Sequence, residues 1–523
     1  MSEYNPPVKE MSFILNDVLG FEHDDLDRET VEAVLDEAAK LASTVLAPLN
    51  KIGDLQGAKL IDGQVETADG FKEAYKAYCE GGWNAVPFDE QYGGQALPWA
   101  LAFPVQEMWQ GANMAFGLCP LLNQGAVEAI SSHGSDEQKS KYLPKLISGE
   151  WSGTMNITES GAGSDLGLIS AKADKQNDGS YKITGQKIFI TYGDHDMSDN
   201  IIHLVLARTP DAPEDVKGLS LFIVPKILDD GSKNSLECIG LEHKLGIHAS
   251  PTCTMDFCGA TGYLIGDENS GLKYMFTMMN NARLCVGLQG VAIAERAYQA
   301  AHNYANERVQ GKSLNSGERV PIAQHADVRR MLLDMKSRII AGRLMSYSAA
   351  LELDNSSNIA PFLTPIVKSF CTDMAVEIAS TGIQVHGGMG FIEESGAAQY
   401  YRDARILPIY EGTNGIQALD LVFRKIIHDG GEVAFSYIKE MEGLVEQSKL
   451  DNLISKTNRI LELAKDKKMD EIAWMSSPYL KAFGIIIGAA LIEKAARKNE
   501  TFQCDKGISL KDIKDFYNAN ILP

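Results

Sequence analysis

The segment at residues 409–417, IYEGTNGIQ, places one carboxylate, Glu411, between an aromatic residue and a glycine and just ahead of a short helical pattern. Asn414 and Gln417 have the spacing of a capping box, which predicts Asn414 as the N-cap and a helix that begins at Gly415. Glu411 would then precede a helix N-terminus, where the helix dipole favours an anion. The carboxylate could simply stabilise that helix end, or it could act as a base that takes a proton from carbon. The local spacing leaves both interpretations open.

A second group of polar residues lies in TMNITESGAGSD, residues 154–165. Its hydroxyls, carboxylates and glycines could present donors to a polar ligand, although an ordinary polar loop has the same composition. The overlapping stretch GAGSDLG has one residue too many before its last glycine for a dinucleotide-binding fingerprint. It also leads into strand-like sequence, whereas that fingerprint must open a helix. The sequence therefore excludes a Rossmann site here.

Two further patterns could bring the chain close to a planar or bulky group. QKIFITYG places Phe189 and Thr191 on one face of a predicted strand, where an aromatic ring could stack and a hydroxyl could donate to a ring edge. Ordinary core and edge packing would give the same pattern. In GIQVHGGMGF, residues 382–391, the last three glycines, at 387, 388 and 390, follow a predicted helix, so the backbone there can approach a bulky group closely. His386 in this turn is interpreted as a structural residue.

The composition restricts the possible partners and the compartment. With 49 basic and 70 acidic residues the formal charge is −21, which argues against a nucleic-acid partner because phosphate binding needs a basic surface. The eight cysteines show no C-x-x-C pair, disulfide framework or zinc-ligand spacing, so we expect no metal site and a cytoplasmic location. The N-terminal sequence has no signal-peptide pattern. The longest apolar run, residues 482–492, predicts a bundle helix or a membrane-surface contact, without stable membrane insertion.

The periodicity of apolar residues predicts an α+β protein made of several domains. The predicted parts are an N-terminal helical domain at 1–151, a central β-domain of sandwich or barrel type at 152–265, a C-terminal four-helix bundle carrying Glu411 at 266–430, and a helical C-terminal extension at 431–523.

Taken together, the motifs resemble the acyl-CoA dehydrogenase family of flavoenzymes over about residues 30–430. The resemblance rests on TESGAGSD, GQKIFIT, KLGIHASPT, QVHGGMGF, RDARI and IYEGTNGIQ, which occur in the family's order. The 27-residue step from Gln384 to Glu411 agrees with the family as well. MSFILNDVLGFE, QYGGQALP, EMWQGANMAF, SGEWSGTMNITE and the additional tail resemble the longer bacterial branch typified by 3-methylmercaptopropionyl-CoA dehydrogenase.

The resemblance implies an FAD-dependent enzyme that converts an acyl-CoA thioester to a trans-2-enoyl-CoA. Glu411 would remove the α-proton, the β-hydride would leave for N5 of FAD, and the backbone N–H of Glu411 with a flavin ribityl hydroxyl would stabilise the enolate oxygen. Exclusion of water would raise the pKa of Glu411, whereas the helix N-terminus would oppose this rise. The sequence does not decide which effect prevails.

The resemblance also assigns residues to cofactor and substrate. The residues implied for FAD are Met155, Thr158, Phe189 and Thr191 at the isoalloxazine ring, Arg308, Gln384 and Gly388 at the pyrophosphate and adenylate across a subunit interface, and Thr413 as a further contact. Those implied for the substrate side are Ser164 facing the CoA portion or the flavin, Arg283 as the buried helix arginine near the active site, and Gly412, which would let the thioester approach.

A cofactor shared between subunits implies a homodimer or a tetramer, and the family's electron acceptor is electron-transfer flavoprotein. The sequence departs from the family's pattern at four positions. Phe189 stands where many relatives have tryptophan, and the stretch from Arg308 to Gly311 is shorter than the common R-x-x-F-G. Gly415 replaces a polar residue, and Ala282 occupies the position of the catalytic glutamate in a minority branch, which leaves Glu411 as the family's base.

Two alternative functions remain open at this stage. One is an acyl-CoA oxidase or a flavin monooxygenase of the same fold. The other is a flavin-free helical assembly protein without catalytic activity. For the dehydrogenase, three acyl groups are compatible with the sequence: a plain short or medium chain, a sulfur-containing short group such as 3-methylmercaptopropionyl, and an aryl chain. The role of residues 431–523 is not readable from the sequence.

Overall fold

The computed structural model describes residues 4–522, which form sixteen α-helices, thirteen β-strands and short 3₁₀ and π segments. The helices are α1 (Val8–Ser12), α2 (Arg28–Leu41), α3 (Ala47–Gln56), α4 (Phe71–Glu80), α5 (Trp99–Ala112), α6 (Met114–His133), α7 (Asp136–Ser148), α8 (Gly271–Glu307), α9 (Ala326–Asp354), α10 (Ile359–His386), α11 (Ala397–Ala404), α12 (Asn414–Leu419), α13 (Glu432–Glu440), α14 (Gln447–Lys465), α15 (Met469–Asn499) and α16 (Leu510–Asn520). The strands are β1 (Lys59–Ile61), β2 (Gln64–Glu66), β3 (Trp151–Asn156), β4 (Lys172–Lys175), β5 (Tyr181–Thr191), β6 (Asn200–Arg208), β7 (Leu219–Pro225), β8 (Leu236–Leu241), β9 (Thr252–Ile265), β10 (Val309–Lys312), β11 (Arg319–Pro321), β12 (Gln503–Asp505) and β13 (Ile508–Ser509).

The chain divides into two compact units, each assembled from separate stretches of sequence. The helical unit comprises Met1–Ala47, Pro98–Ala112 and Arg283–Pro523, and the β-containing unit comprises Pro48–Leu97 and Asn113–Ala282. The predicted fold class is confirmed, because N-terminal helices, a central β-sheet and C-terminal helices with a helical extension follow one another along the chain. The three boundaries assigned from the sequence, after residues 151, 265 and 430, stay predictions.

Seven strands of the β-containing unit form one sheet in the order β3-β6-β4-β5-β9-β7, with β8 paired to β9. Because β6 also pairs with β7, strands β6, β4, β5, β9 and β7 close into a ring, which is the barrel-like arrangement expected. Side chains alternate along β6, as the period of a strand requires. Ile202, Leu204 and Leu206 pack in a cluster with residues of α6 and α7, whereas Val205 and Ala207 pack in a second cluster with residues of β5, β7 and β9.

The helical unit contains the C-terminal bundle and its extension. Helix α8 comes so close to α10 that a Cβ on Gly290 would lie 2.4 Å from the carbonyl oxygen of Cys371, so glycine is required there. Helix α15, from the extension, packs against α9, α10 and α12. Helix α12 begins at Asn414, three residues after Glu411, so the extension contacts the helix that follows the candidate base.

A buried network of charges joins four helices of the helical unit. Arg343 on α9 donates through Nε to Glu107 on α5 at 2.9 Å and through Nη2 to Glu295 on α8 at 3.1 Å. It also donates to Glu10 on α1. Lys336, two turns earlier on the same face of α9, lies 3.1 Å from carboxylate oxygens of both Glu10 and Glu295. These ion pairs of Glu10 fix helix α1 to the core of this unit.

Two stretches of the helical unit have the length and hydropathy of a membrane span, Ile359–Phe391 and Met469–Asn499. Most of each stretch is buried inside the protein. That burial is the pattern of core helices.

Candidate active site

Glu411 lies in a tight loop between α11 and α12, which we call the glutamate loop (residues 405–413). Its backbone has φ +54°, and the next residue, Gly412, has φ +85°. Two consecutive left-handed residues are unusual, and a non-glycine residue in this region costs roughly 1–3 kcal/mol unless its surroundings impose it. A Cβ on Gly412 would lie 2.9 Å from Nε2 of Gln417, so the space beside the loop is also restricted. The carboxylate is therefore carried on a strained, enforced turn.

Three side chains bind the carbonyl groups of this turn. The Glu411 carbonyl accepts from Nε of Arg283 at 3.3 Å and from Nε2 of Gln417 at 3.1 Å. The Gly412 carbonyl accepts from Nζ of Lys368 at 2.9 Å and from Gln417 at 3.3 Å. These donors come from α8, α10 and α12, so three helices of the helical unit fix the main chain beside the carboxylate.

The environment of Glu411 combines burial with two nearby positive charges. Burial raises the pKa of Glu411 above its usual value, and the positive charges of Arg283 and Lys368 oppose this rise without cancelling it. Burial likewise lowers the pKa of Arg283, against the attraction of Asp420, whose carboxylate lies 3.8 Å away. A carboxylate with a raised pKa is a stronger base, as proton removal from carbon requires.

The predicted capping box around α12 is wrong. The N-cap is Thr413, whose Oγ1 accepts from the N–H of Ile416 at 3.3 Å, and the helix begins at Asn414. Asn414 accepts from Lys368 and donates to Asp373, so its side chain is directed to α10 and away from its own helix end. Gln417 turns back to the glutamate loop. Asn414 bonds to α10, and Gln417 bonds to the carbonyls of Glu411 and Gly412, so the predicted box does not form. Sequence spacing alone does not distinguish these partners from the capping pattern.

In the β-containing unit, Phe189 lies on a bulge of β5. The pairing with β9 shifts register between Lys187 and Ile190, and Phe189 has φ +60° and leaves 58% of its surface exposed. An aromatic residue held exposed at a positive φ is strained, and such strain is concentrated at functional sites. The sequence pattern predicts that Phe189 and Thr191 share one face of a regular strand. The bulge corrects this prediction, because the register shift interrupts the alternation of side chains from Ile188 to Thr191.

The other ring-lining candidates lie close to this bulge. The Thr158 carbonyl accepts from the N–H of Ile188 at 2.9 Å, and the Thr191 carbonyl accepts from the hydroxyl of Thr154 at 2.8 Å. Met155 and Thr158 are half-buried. The structure therefore brings Met155, Thr158, Phe189 and Thr191 together at the ends of β3 and β5.

Within the polar loop at 154–165, the carboxylate of Glu159 has a structural role. It accepts from Nζ of buried Lys187 at 2.8 Å and from the N–H groups of Ser170 and Ala171 at 2.8 and 3.0 Å. These bonds hold the loop against β5. Ser164 lies on the exposed side of the same loop, where its side chain is open to solvent.

The remaining candidates of the helical unit lie at helix ends. Gln384, near the end of α10, is exposed and lines a cavity of about 300 Å³ together with Arg330, Met331, Asp334, Ser380 and Thr381. Gly388 follows in the glycine turn, and a Cβ there would meet no atom within 4 Å. Arg308 is exposed just after the end of α8. His386 bonds the Gly382 carbonyl through Nδ1 at 2.7 Å and stacks on Tyr304, contacts of the kind that a structural histidine makes.

Lys368 and Gln417 are parts of the site that the sequence reasoning missed. A signal existed for Lys368, because PIVKSFCTDM contains a single lysine, directly after the apolar residues Ile366 and Val367 of a predicted helix. For Gln417 the sequence predicts only a capping role. Among residues 4–522, no group of three or more His, Cys, Asp or Glu side chains is arranged to hold a metal ion.

Three family models match the chain in sequence order. The acyl-CoA dehydrogenase N-terminal domain matches residues 28–150, the middle domain 154–259 and the C-terminal domain 269–426. The 3-methylmercaptopropionyl-CoA dehydrogenase of Ruegeria pomeroyi is 49% identical over 456 residues, which cover 82% of this chain and 78% of that protein.

Two solved structures extend the comparison. An acyl-CoA dehydrogenase complexed with FAD from Bacillus anthracis has a TM-score of 0.76 and 23% identity, and the match covers 97% of this chain and 88% of that one. At this identity the match shows the fold alone. A chain in the structure of the electron transferring flavoprotein of Acidaminococcus fermentans has a TM-score of 0.67 and 28% identity, with 76% of this chain and 98% of that one covered. The Bacillus anthracis match therefore extends over more of this chain.

Proposed function

Because this chain belongs to the acyl-CoA dehydrogenase family, we propose that Glu411 is the base of an FAD-dependent α,β-dehydrogenation of an acyl-CoA thioester. The product is a trans-2-enoyl-CoA. The observation that carries the assignment of the base is the state of Glu411: a carboxylate with a raised pKa on an enforced left-handed turn. A residue that only stabilised a helix end would need neither feature.

The residues of this chain support proton removal in two ways. The Glu411 carboxylate takes the α-proton, and its raised pKa brings it closer to the weakly acidic carbon. The backbone N–H of Glu411 donates to no acceptor among residues 4–522, so it is available for the oxygen on which charge develops. Arg283 and Gln417 hold the carbonyl of the same residue, which keeps the turn from reorienting. FAD, when bound, supplies the acceptor for the β-hydride.

The residues present fit FAD. Phe189 offers an exposed aromatic face on its bulge, beside half-buried Met155 and Thr158. Open space around Gly388 and the cavity lined by Gln384 leave room for a bulky polar group. The proposed ligands of the flavin ring are Met155, Thr158, Phe189 and Thr191, and those of the rest of the cofactor are Arg308, Gln384, Gly388 and Thr413. The proposed contacts to the substrate are Ser164, Arg283 and Gly412.

We propose a homodimer or tetramer in which FAD is shared between subunits. Apolar side chains of Met389, Phe391 and Ile392 are exposed directly after Gly388, and Phe391 leaves 87% of its surface uncovered. Large exposed apolar groups in one short segment support a protein interface at this place. The proposed electron acceptor is electron-transfer flavoprotein, and the proposed location is the cytoplasm.

For the acyl group we propose a short or medium chain, with 3-methylmercaptopropionyl-CoA as the first candidate. The support is the 49% identity, over most of both chains, to a relative that bears the name of that activity. Butyryl-CoA is the natural comparison, since Syntrophomonas wolfei has a butyryl-CoA dehydrogenase that is 37% identical over 474 residues.

The test is an anaerobic titration of the FAD-loaded protein with a panel of acyl-CoA thioesters. The flavin absorbance is monitored during the titration. We expect bleaching by at least one thioester, and the one that bleaches fastest names the acyl group. Reoxidation by electron-transfer flavoprotein without peroxide would support a dehydrogenase, whereas rapid peroxide formation in air would identify an oxidase. Bound flavin that no thioester reduces would overturn the proposal.

A further inference from the structure

Lys368 lies in the middle of α10 with its side chain completely buried. Its sequence neighbours Ile366, Val367 and Cys371 are buried apolar residues. Burying an ammonium group is costly unless hydrogen bonds and opposite charges compensate for the lost water. The hydrogen-bond partners of Lys368 therefore indicate the role of this buried lysine.

Both partners of the Lys368 ammonium belong to the region around Glu411. Nζ donates to the Gly412 carbonyl at 2.9 Å and to Oδ1 of Asn414 at 2.9 Å. Asn414 in turn donates through Nδ2 to Thr372 Oγ1 at 3.0 Å and to Asp373 Oδ1 at 2.7 Å. A chain of hydrogen bonds thus ties α10 to the residues directly after the candidate base.

The charges that face Lys368 come from several elements. Glu411 on the glutamate loop and Asp373 on α10 attract the ammonium, and Arg283 on α8 repels it. The positive charge of Lys481 on α15 acts to lower the pKa of Asp373. Burial outweighs the two carboxylates and lowers the pKa of Lys368 to about 7. The ammonium also lowers the pKa of Glu411, second to Arg283 in effect.

We propose that Lys368 is a positioning residue for Glu411: its buried side chain holds the Gly412 carbonyl and Asn414, and so keeps the candidate base on its left-handed turn. Its positive charge also favours the ionised form of the base. This inference rests on the role of Glu411 proposed above. It assigns to α10 the task of orienting the carboxylate, without contact between Lys368 and the substrate.

The first experiment compares Lys368→Met, Lys368→Arg and Ser369→Ala in the FAD-loaded protein. Ser369 is a matched control, because it is a buried polar residue one position along α10 that meets Asn414 only through its carbonyl. We expect kcat of Lys368→Met to fall about 10–100-fold, since small displacements of a base have effects of this size, while KM changes little. Lys368→Arg should recover part of the loss, and Ser369→Ala should match the wild type.

The pH profile separates positioning from general destabilisation. Glu411 acts as a base when ionised, and loss of the neighbouring positive charge raises its pKa further. The acid limb of kcat/KM in Lys368→Met should therefore move to higher pH by about one unit, and Lys368→Arg should keep the wild-type limb. A folded, flavin-loaded Lys368→Met protein with wild-type kcat and an unshifted acid limb would overturn the inference.

Hydrogen–deuterium exchange tests the hold on the turn independently of any activity. In Lys368→Met, backbone amides of residues 409–417 should exchange faster than in the wild type, with unchanged exchange in the β-containing unit. Unchanged exchange at residues 409–417 would contradict the inference even if activity fell. If no thioester reduced the wild-type flavin, the proposed function would fail, and the exchange result would still decide whether Lys368 holds the turn.

Discussion

At the scale of single residues, the proposed base and the proposed flavin-stacking residue both sit on strained backbone. Glu411 has φ +54° on its turn, and Phe189 has φ +60° on its bulge. Neither conformation is favoured by its residue type, so the surrounding structure must impose each one. The donors Arg283, Lys368 and Gln417 do this for Glu411.

Gly412→Ala tests this backbone requirement. A Cβ at φ +85° is strained, and it would lie 2.9 Å from Gln417 Nε2, so the turn must shift. We expect a fall in kcat of about 10–100-fold with little change in melting temperature. The matched control is Gly415→Ala, where the nearest atom to a Cβ is Thr413 Oγ1 at 3.7 Å and alanine favours the helix. Equal kcat values for both variants would show that the left-handed turn is not required.

The sequence predicted which residue is the candidate base but not how it is held. Glu411 and its neighbours follow from the motif. Thr413 as the N-cap and the bonds from Gln417 to the glutamate loop are local, but the spacing of Asn414 and Gln417 favoured a competing capping box. Lys368 as a donor belongs to a helix that is distant in sequence, and local spacing contains no record of it. For the same reason the bulge at Phe189 could not be placed from the alternation of its strand.

At the scale of elements, a hydrogen bond to the carboxyl group of Glu128 joins helices α6 and α8 within the β-containing unit. Glu128 on α6 accepts from Asn281 on α8 and from Gln124 at 3.5 Å, and burial raises the pKa of Glu128 to about 8. The pKa of an unfolded glutamate is about 4.3, so the folded protein keeps a proton that the unfolded chain has lost. This contribution to stability is complete below the unfolded pKa, and it is lost as the pH rises toward the folded pKa.

Glu128→Gln should therefore change how stability depends on pH. The amide has the same shape and does not titrate. From about pH 5 to about pH 8 the wild type should lose roughly 1–3 kcal/mol of folding free energy relative to the variant. Melting temperatures of both proteins across this range measure the difference. Parallel curves would mean that the Glu128 carboxyl ionises in the folded protein as it does in water.

The periodicity of apolar residues predicted these elements because most of them bury one regular face. The alternation along β6 and the three-and-four spacing in α9 and α10 follow directly from burial. The sequence predicts a β-domain of sandwich or barrel type, but it does not predict that β6 pairs with β7 and closes the sheet. Strand pairing joins residues that are far apart in sequence.

At the scale of the whole molecule, the helical unit has charge in its core as well as apolar side chains. Arg343, Lys336, Glu10, Glu107 and Glu295 are buried together and join α1, α5, α8 and α9. Burial raises the pKa of Glu107 to about 8, and a hydrogen bond from Tyr347 opposes this. Breaking such a network leaves uncompensated charge, which is costly.

Arg343→Met should destabilise the protein by about 3–5 kcal/mol, because three carboxylates would lose their shared partner. The matched control on the same helix is Arg338→Met, which removes a more exposed arginine paired with Asp334 and Glu377. Its expected cost is about 0–1 kcal/mol. Denaturant unfolding of the two variants measures both values. A similar, small loss in both would show that the buried network contributes little.

The central claim is that Glu411 removes the α-proton of an acyl-CoA thioester. The most direct measurement is the anaerobic, single-turnover rate of flavin bleaching by the best thioester, in the wild type and in Glu411→Gln at equal FAD content. We predict that the variant binds FAD and thioester but bleaches at least about 10²-fold more slowly, since an amide of the same shape cannot accept the proton. Bleaching of the variant at the wild-type rate would contradict the claim and leave Glu411 as a charge at a helix end.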